Sequence, residues 1–240
     1  MPFSHVITEE TEKPLEDIYS VAPPGSIHKL AALRRKSLPQ LKQVISRIES
    51  ETGLPSEFNE KRNRVAKSKT ERPVTLERYP WMTLAHLRDY LRFRTRLRSL
   101  ANFIDVFTVF AKLQEEGRIS IVKVDTAKLL SPGEFGWRMI ATDIRLDSGL
   151  LVEHYMTFGD LIAMNEDWLH KVYERWRDKV VTNFGDARSR RRDAEFSCAG
   201  YREVFVERVL GSVADGSPVA SPRELSRKEL VRVVTEHLDL

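Results

Sequence analysis

Apolar residues recur at three- and four-residue intervals from Pro39, at Leu41, Val44, Ile45 and Ile48, which predicts a helix with one apolar face and a stop at Gly53. The stretch that follows to Pro80 is polar and rich in cations, and its pattern predicts no element. Leu87, Leu91, Phe93 and Leu97 then alternate with Arg88, Tyr90, Arg92, Arg94, Arg96 and Arg98, the period of a strand over 87–98, although Leu84, Leu87 and Leu91 also fit a helix. Ser99 is placed to cap a helix carrying Leu100, Phe103, Ile104, Phe107, Phe110 and Ala111, which Gly117 ends. "RISIVKV" predicts a strand, and "RMIATDIRL", "DSG" and "LLVEHYM" predict strand, turn and strand. Asn165 opens a further helix with Leu169, Val172, Tyr173, Trp176 and Val180 along one side. That order implies an α+β fold, a mixed sheet flanked by helices.

The ends of the chain read differently. Residues 1–25, closing in "APPGS", are expected to form a flexible arm, and residues 26–185 the main domain. Composition shifts near Gly185, so 186–240 is expected to be a helical C-terminal extension. Ser221, Pro222 and Glu224 announce its last helix, with Leu230, Val234 and Leu238 as a docking face.

With 240 residues, 41% hydrophobic and 31% charged, the chain can bury a core without a metal or disulfide scaffold. Its one cysteine, Cys198, excludes an intramolecular disulfide. No apolar run has the length of a membrane span and the first twenty residues have no secretory pattern, so a cytoplasmic protein with no membrane partner is expected. The net charge of +4 is modest, but cations crowd into Lys61–Arg78, Arg88–Arg98 and Arg188–Arg192. Each run suits a phosphate-bearing partner and equally suits a solvated surface.

Two carboxylates break the strand patterns. Asp89 falls on the leucine side of 87–98, and Glu153 shares a face with Leu151 and Tyr155. A carboxylate facing a core costs several kcal/mol unless a cation, a metal or hydrogen bonds compensate, in order of magnitude. Either the two acids share a divalent cation such as Mg²⁺, or each pairs locally, Asp89 with one of its arginines.

Taken together, "RVAKSKTER", "LRDYLRFRT", "GEFGWRMIATDIRL", "GLLVEHYMTF" and "WLHKVYERWR" resemble, in order and interval, the synthetase domain of the RelA/SpoT family, the alarmone synthetases and their small toxin relatives. The resemblance runs from about Lys61 to Arg177. It implies a nucleotidyltransferase-like sheet and Mg²⁺-dependent transfer of pyrophosphate from ATP to the 3′-hydroxyl of a guanosine or other purine nucleotide. By the same resemblance Asp89 and Glu153 hold the metal, with Glu153 also activating the acceptor hydroxyl. Arg64, Lys67, Lys69 and Arg72 contact ATP, and Trp137, His170 and Tyr173 meet the acceptor. Tyr155, Thr157, Arg92 and Met139–Ala141 depart from the family pattern, mainly where an acceptor is recognised. The alternatives are a toxin-type enzyme that modifies the 3′ end of tRNA, with "RSRRR" as an RNA contact, and a non-catalytic nucleotide- or RNA-binding relative. A second copy of the chain or an antitoxin is the expected protein partner.

Overall fold

The computed structural model describes residues 26–213. Helix α1 (Ile27–Thr52) starts twelve residues before the helix read from Pro39, because Ser26 caps it: its hydroxyl accepts the Lys29 N–H. Pro39 sits inside the helix. The expected stop holds, with Gly53 at φ 66° and its N–H on the Glu49 carbonyl. The polar stretch to Pro80, which predicted nothing, forms strand β1 (Ser56–Glu60) and helices α2 (Asn63–Thr70) and α3 (Pro73–Arg78). Four of the five β1 residues are exposed, so no apolar alternation marks the strand.

Strand β2 (Leu91–Leu97) alternates buried and half-buried positions as its leucines and arginines require. It begins four residues later than expected, since the ladder with β1 starts where Glu60 meets Leu91; residues 88–90 turn into it. Tyr90, read onto the arginine side, is fully buried.

Helix α4 (Asn102–Glu115) is entered through a turn in which the Asn102 side chain accepts the N–H groups of Arg98 and Ser99 and the Ser99 carbonyl accepts the Asn102 N–H, which sets Ser99 three residues ahead of the helix where a cap stands. Its inner face centres on Val106, Phe110 and Leu113. Ile104, two residues from Val106, is 44% exposed instead of joining the apolar stripe. β3 (Ile119–Asp125), β4 (Ile140–Leu146) and β5 (Leu151–Phe158) follow, with Gly149 at φ 87° in the β4–β5 turn. The five strands make one mixed sheet in the order β1-β2-β5-β4-β3, an α+β fold with helices flanking it.

Helix α5 (Gly159–Met164) begins six residues before the expected Asn165 start and passes through a π turn at Asn165–Leu169 into α6 (His170–Arg177). Val180 lies beyond that helix and is exposed. Helix α7 (Phe184–Val213) is one element across the composition change. The arm before residue 26 and the capping motif with Leu230, Val234 and Leu238 lie outside the described residues. No described helix is long and apolar enough to cross a membrane.

The described chain divides into two compact units. The first holds residues up to Thr95 with Val106–Asp125 and Ala141–Tyr155; the second holds Arg96–Asp105, Thr126–Ile140 and residues from Met156 on. At the centre of the first unit His154 has no exposed surface. Its ring stacks on Phe93 at 4.2 Å and meets Phe110 edge-on at 5.0 Å, while Nε2 pairs with the Thr95 hydroxyl at 2.9 Å. Burial pushes its pKa down to about 3 from 6.5. The unfolded chain therefore binds a proton near pH 6.5 that the folded chain refuses until about pH 3, and stability falls as pH drops through that window. Denaturant midpoints measured from pH 7 to pH 4 should show this fall in the wild type and a flatter profile in His154→Gln, which keeps a partner for Thr95.

Candidate active site

The turn Arg88–Asp89–Tyr90 is held on both sides by backbone pairing. The Glu153 N–H on β5 donates to the Arg88 carbonyl at 2.7 Å, and the Lys61 N–H, just past β1, donates to the Tyr90 carbonyl at 3.0 Å. Asp89 is thus fixed between two anchored peptides, and it is only 5% exposed. It stands ahead of the strand, not on the apolar face that alternation suggested.

What meets it is a pair of lysines. Lys61 Nζ and Lys69 Nζ both donate to Asp89 Oδ2, the latter at 2.6 Å. Helix geometry selects Lys69: Asn63, Ala66 and Lys69 lie three residues apart on one face of α2. Ala66 is buried on that face and Asn63 accepts the Tyr90 hydroxyl, so Lys69 is turned toward Asp89. Arg64 and Lys67 lie on the other side and are exposed, Lys67 beside Glu71 at 3.6 Å. Arg72 immediately precedes α3 and is half-buried. Of the four cations expected at ATP, the structure brings one, Lys69, to Asp89. Lys61, which sequence reasoning did not single out, is the other.

Burial alone would raise the Asp89 carboxyl, but Lys69 and Lys61 outweigh it and hold the group well below the usual carboxylate range. Desolvation pushes the Lys61 ammonium down, and nearby Lys69 and Arg92 add to that, against the opposing pull of Asp89. Asp89 Oδ1 is buried and accepts no hydrogen bond among the described residues.

Glu153 lies next to this turn through its backbone, yet its carboxylate faces a different cation. Arg88 donates to Asp143 on β4 at 2.8 Å and approaches Glu153 at 3.8 Å. Asp143, 2% exposed, is a third acid that the sequence did not mark, because "ATDIRL" reads as ordinary alternation. The donor set suits a shared divalent cation better than a resident one. Among the described residues no three His, Cys, Asp or Glu side chains converge as a metal cage, whereas Mg²⁺ usually takes one or two carboxylates and completes its shell with water and substrate phosphate. The buried Asp89 Oδ1, which accepts no hydrogen bond among the described residues, fits that role once the two ammonium groups on Oδ2 no longer set like charge beside it.

The three residues expected at the acceptor belong to the second unit. Gly136 has φ 81°, and a Cβ there would lie 2.6 Å from the Cys198 backbone, so glycine is required where this segment meets α7. Trp137, half-buried, packs edge-on against Tyr201 at 5.4 Å. Tyr173 meets Phe135 at 5.7 Å and the Arg177 guanidinium at 5.9 Å. His170 is exposed on α6 and reaches Glu174 at 3.3 Å. Each has a local packing or surface partner.

No protein-family model matches the sequence, and no curated protein matches it. Among solved structures the chain is similar to small alarmone synthetases. Small alarmone synthetase 1 from Bacillus subtilis matches with a TM-score of 0.49 at 14% identity, over 79% of this chain and 98% of that one. Small alarmone synthetase 2 from Bacillus subtilis gives 0.48 at 14% identity, over 72% and 94%. The Type VI effector Tas1, solved in complex with its immunity protein, gives 0.47 at 16% identity, over 80% and 97%. At these identities and scores they assign no role to any residue here.

Asp89→Asn is expected to destabilise the chain, because it leaves two ammonium groups facing each other without their anion. The loss should be about 2–4 kcal/mol at neutral pH by urea unfolding, in order of magnitude. Relief of carboxylate repulsion, which two acids around one metal would suggest, is not the dominant effect where the acid is already matched by lysines. The stability lent by Asp89 is present above its ordinary value of 3.8 and is lost as pH falls toward its depressed folded value.

Proposed function

We propose that the protein is a Mg²⁺-dependent pyrophosphokinase that moves pyrophosphate from ATP to the 3′-hydroxyl of a purine nucleotide. One observation carries this reading: a buried carboxylate, Asp89, shares one oxygen with two lysines and keeps its second oxygen bare, within the ordered motifs that resemble the synthetase domain. Transfer of a phosphoryl group is largely a matter of positioning and charge stabilisation, which calls for cations on the phosphates and a carboxylate to hold a metal.

In this reading Asp89 and Glu153 hold the cation, which when bound neutralises phosphate charge. Lys61 and Lys69 bind the triphosphate oxygens. The Glu153 carboxylate accepts the proton of the acceptor hydroxyl, and Arg88, braced by buried Asp143, keeps that carboxylate in place. The ring of Trp137 stacks on the acceptor base, with His170 and Tyr173 as further contacts, and Arg64, Lys67 and Arg72 form the outer path of the nucleotide.

The test uses ATP labelled in its terminal phosphate, offered with GDP, GTP, ATP or bulk tRNA. Label should pass to a nucleotide in a Mg²⁺-dependent way with release of AMP. Asp89→Asn and Glu153→Gln should each reduce transfer by at least about a thousand-fold, the scale expected for groups acting on transition-state charge. Full activity in either folded variant contradicts the assignment, and label on tRNA alone moves the acceptor to RNA. Trp137→Ala should raise the acceptor KM by roughly ten- to a hundred-fold with little change in ATP affinity, if its ring supplies one stacking contact. An unchanged acceptor KM would make Trp137 a packing residue of the second unit.

A further inference from the structure

We infer that Lys61 and Lys69 keep Asp89 closed to a divalent cation until a polyphosphate draws the two ammonium groups away, so that cation and nucleotide enter the site together. This rests on the reading of the site as one for a nucleotide and its metal.

The geometry is that of an occupied ligand position. Both Nζ atoms converge on Asp89 Oδ2, so the oxygen that faces the lysines already has two positive charges on it. A bare divalent cation approaching it meets like charge at short range, and in a half-buried setting that repulsion is screened less than at an open surface. Arg92 adds to the positive field at Lys61. A triphosphate meets the opposite field. Its oxygens compete for the same ammonium groups, and each lysine that transfers to phosphate uncovers carboxylate for the cation that the phosphate brings with it.

The parts differ in how freely they move. Asp89 is fixed by the paired carbonyls on either side of it. The Lys61 backbone is fixed too: its N–H is on Tyr90 and its carbonyl accepts Arg34 Nη1 at 2.9 Å. The movable parts are the two lysine side chains, whose flexible four-carbon stems suit exchange between carboxylate and phosphate better than the rigid fork of arginine. Replacing one lysine leaves Asp89 with the other, so single variants retain a counter-ion in the fold.

The experiment measures Mn²⁺ binding to the full chain by the loss of the free-ion paramagnetic signal, with and without a non-hydrolysable ATP analogue, after subtraction of the Mn²⁺ that the analogue chelates in protein-free controls. Wild type should bind Mn²⁺ alone weakly, and the analogue should raise that affinity at least about a hundred-fold, a coupling within the usual range between linked ligands. Lys61→Met should raise affinity for Mn²⁺ alone by roughly ten-fold while weakening the analogue, Lys69→Met should act in the same direction, and Asp89→Asn should abolish the gain. Mn²⁺ affinity that is unmoved by both lysine variants overturns the inference, as does tight Asp89-dependent binding to wild type without nucleotide. The two readings fail separately. Label transfer by a wild type whose Mn²⁺ affinity ignores the lysines leaves pyrophosphate transfer standing without the lysine closure; a lysine-dependent Mn²⁺ site in a chain that transfers no label keeps the closure and removes the transferase.

Discussion

A carboxylate withdrawn from water between two ammonium groups is the constraint on which the first unit's site is built. Isolated, Asp89 would be too costly to bury in its charged form; with Lys61 and Lys69 it stays ionised well below the ordinary range. The arrangement fixes more than charge. It sets the rotation of α2, through Ala66, Asn63 and Lys69, and it ties the exit of β1 to the entry of β2. The arrangement also leaves Asp89 Oδ1 without a hydrogen-bond partner among the described residues.

Strand β5 separates two chemistries one residue apart. Glu153 stands on the half-buried side with Arg88 and, through it, Asp143; His154 stands on the fully buried side between Phe93 and Phe110. The period of the strand places a carboxylate beside Arg88 and a neutral imidazole in the core. Burial lowers the imidazole so far that it stays neutral throughout the physiological range, and its service is to stack and to hold Thr95.

Much of the fold was legible in the alternation of leucine and arginine on β2, in the Val106–Phe110–Leu113 face of α4 and in the β4–β5 hairpin, because each buries one face and leaves the other polar. The segment from Ser56 to Arg78 was not legible for the opposite reason. β1 is an edge strand with four exposed residues, and α2 buries a single alanine, so neither has an apolar period to read. At the site, Asp89 announced itself by breaking a pattern. Lys61, Arg88 and Asp143 did not, since a lysine after a polar strand, an arginine among arginines and an aspartate within an alternating strand are all ordinary in sequence. Only the pairing of β1 with β2, and the placing of β4 beside β5, brings their charges to the same turn. The starts of α1 and α5 were missed because Ser26 and Gly159 lie before the first strongly periodic residues.

The exchange of lysine for cation at Asp89 is tested most directly by diffraction from crystals grown with Mg²⁺ and a non-hydrolysable ATP analogue. Electron density for the cation is expected on Asp89, with Lys61 and Lys69 moved onto phosphate oxygens. A nucleotide bound elsewhere, with both lysines still on Asp89 Oδ2, would contradict the exchange.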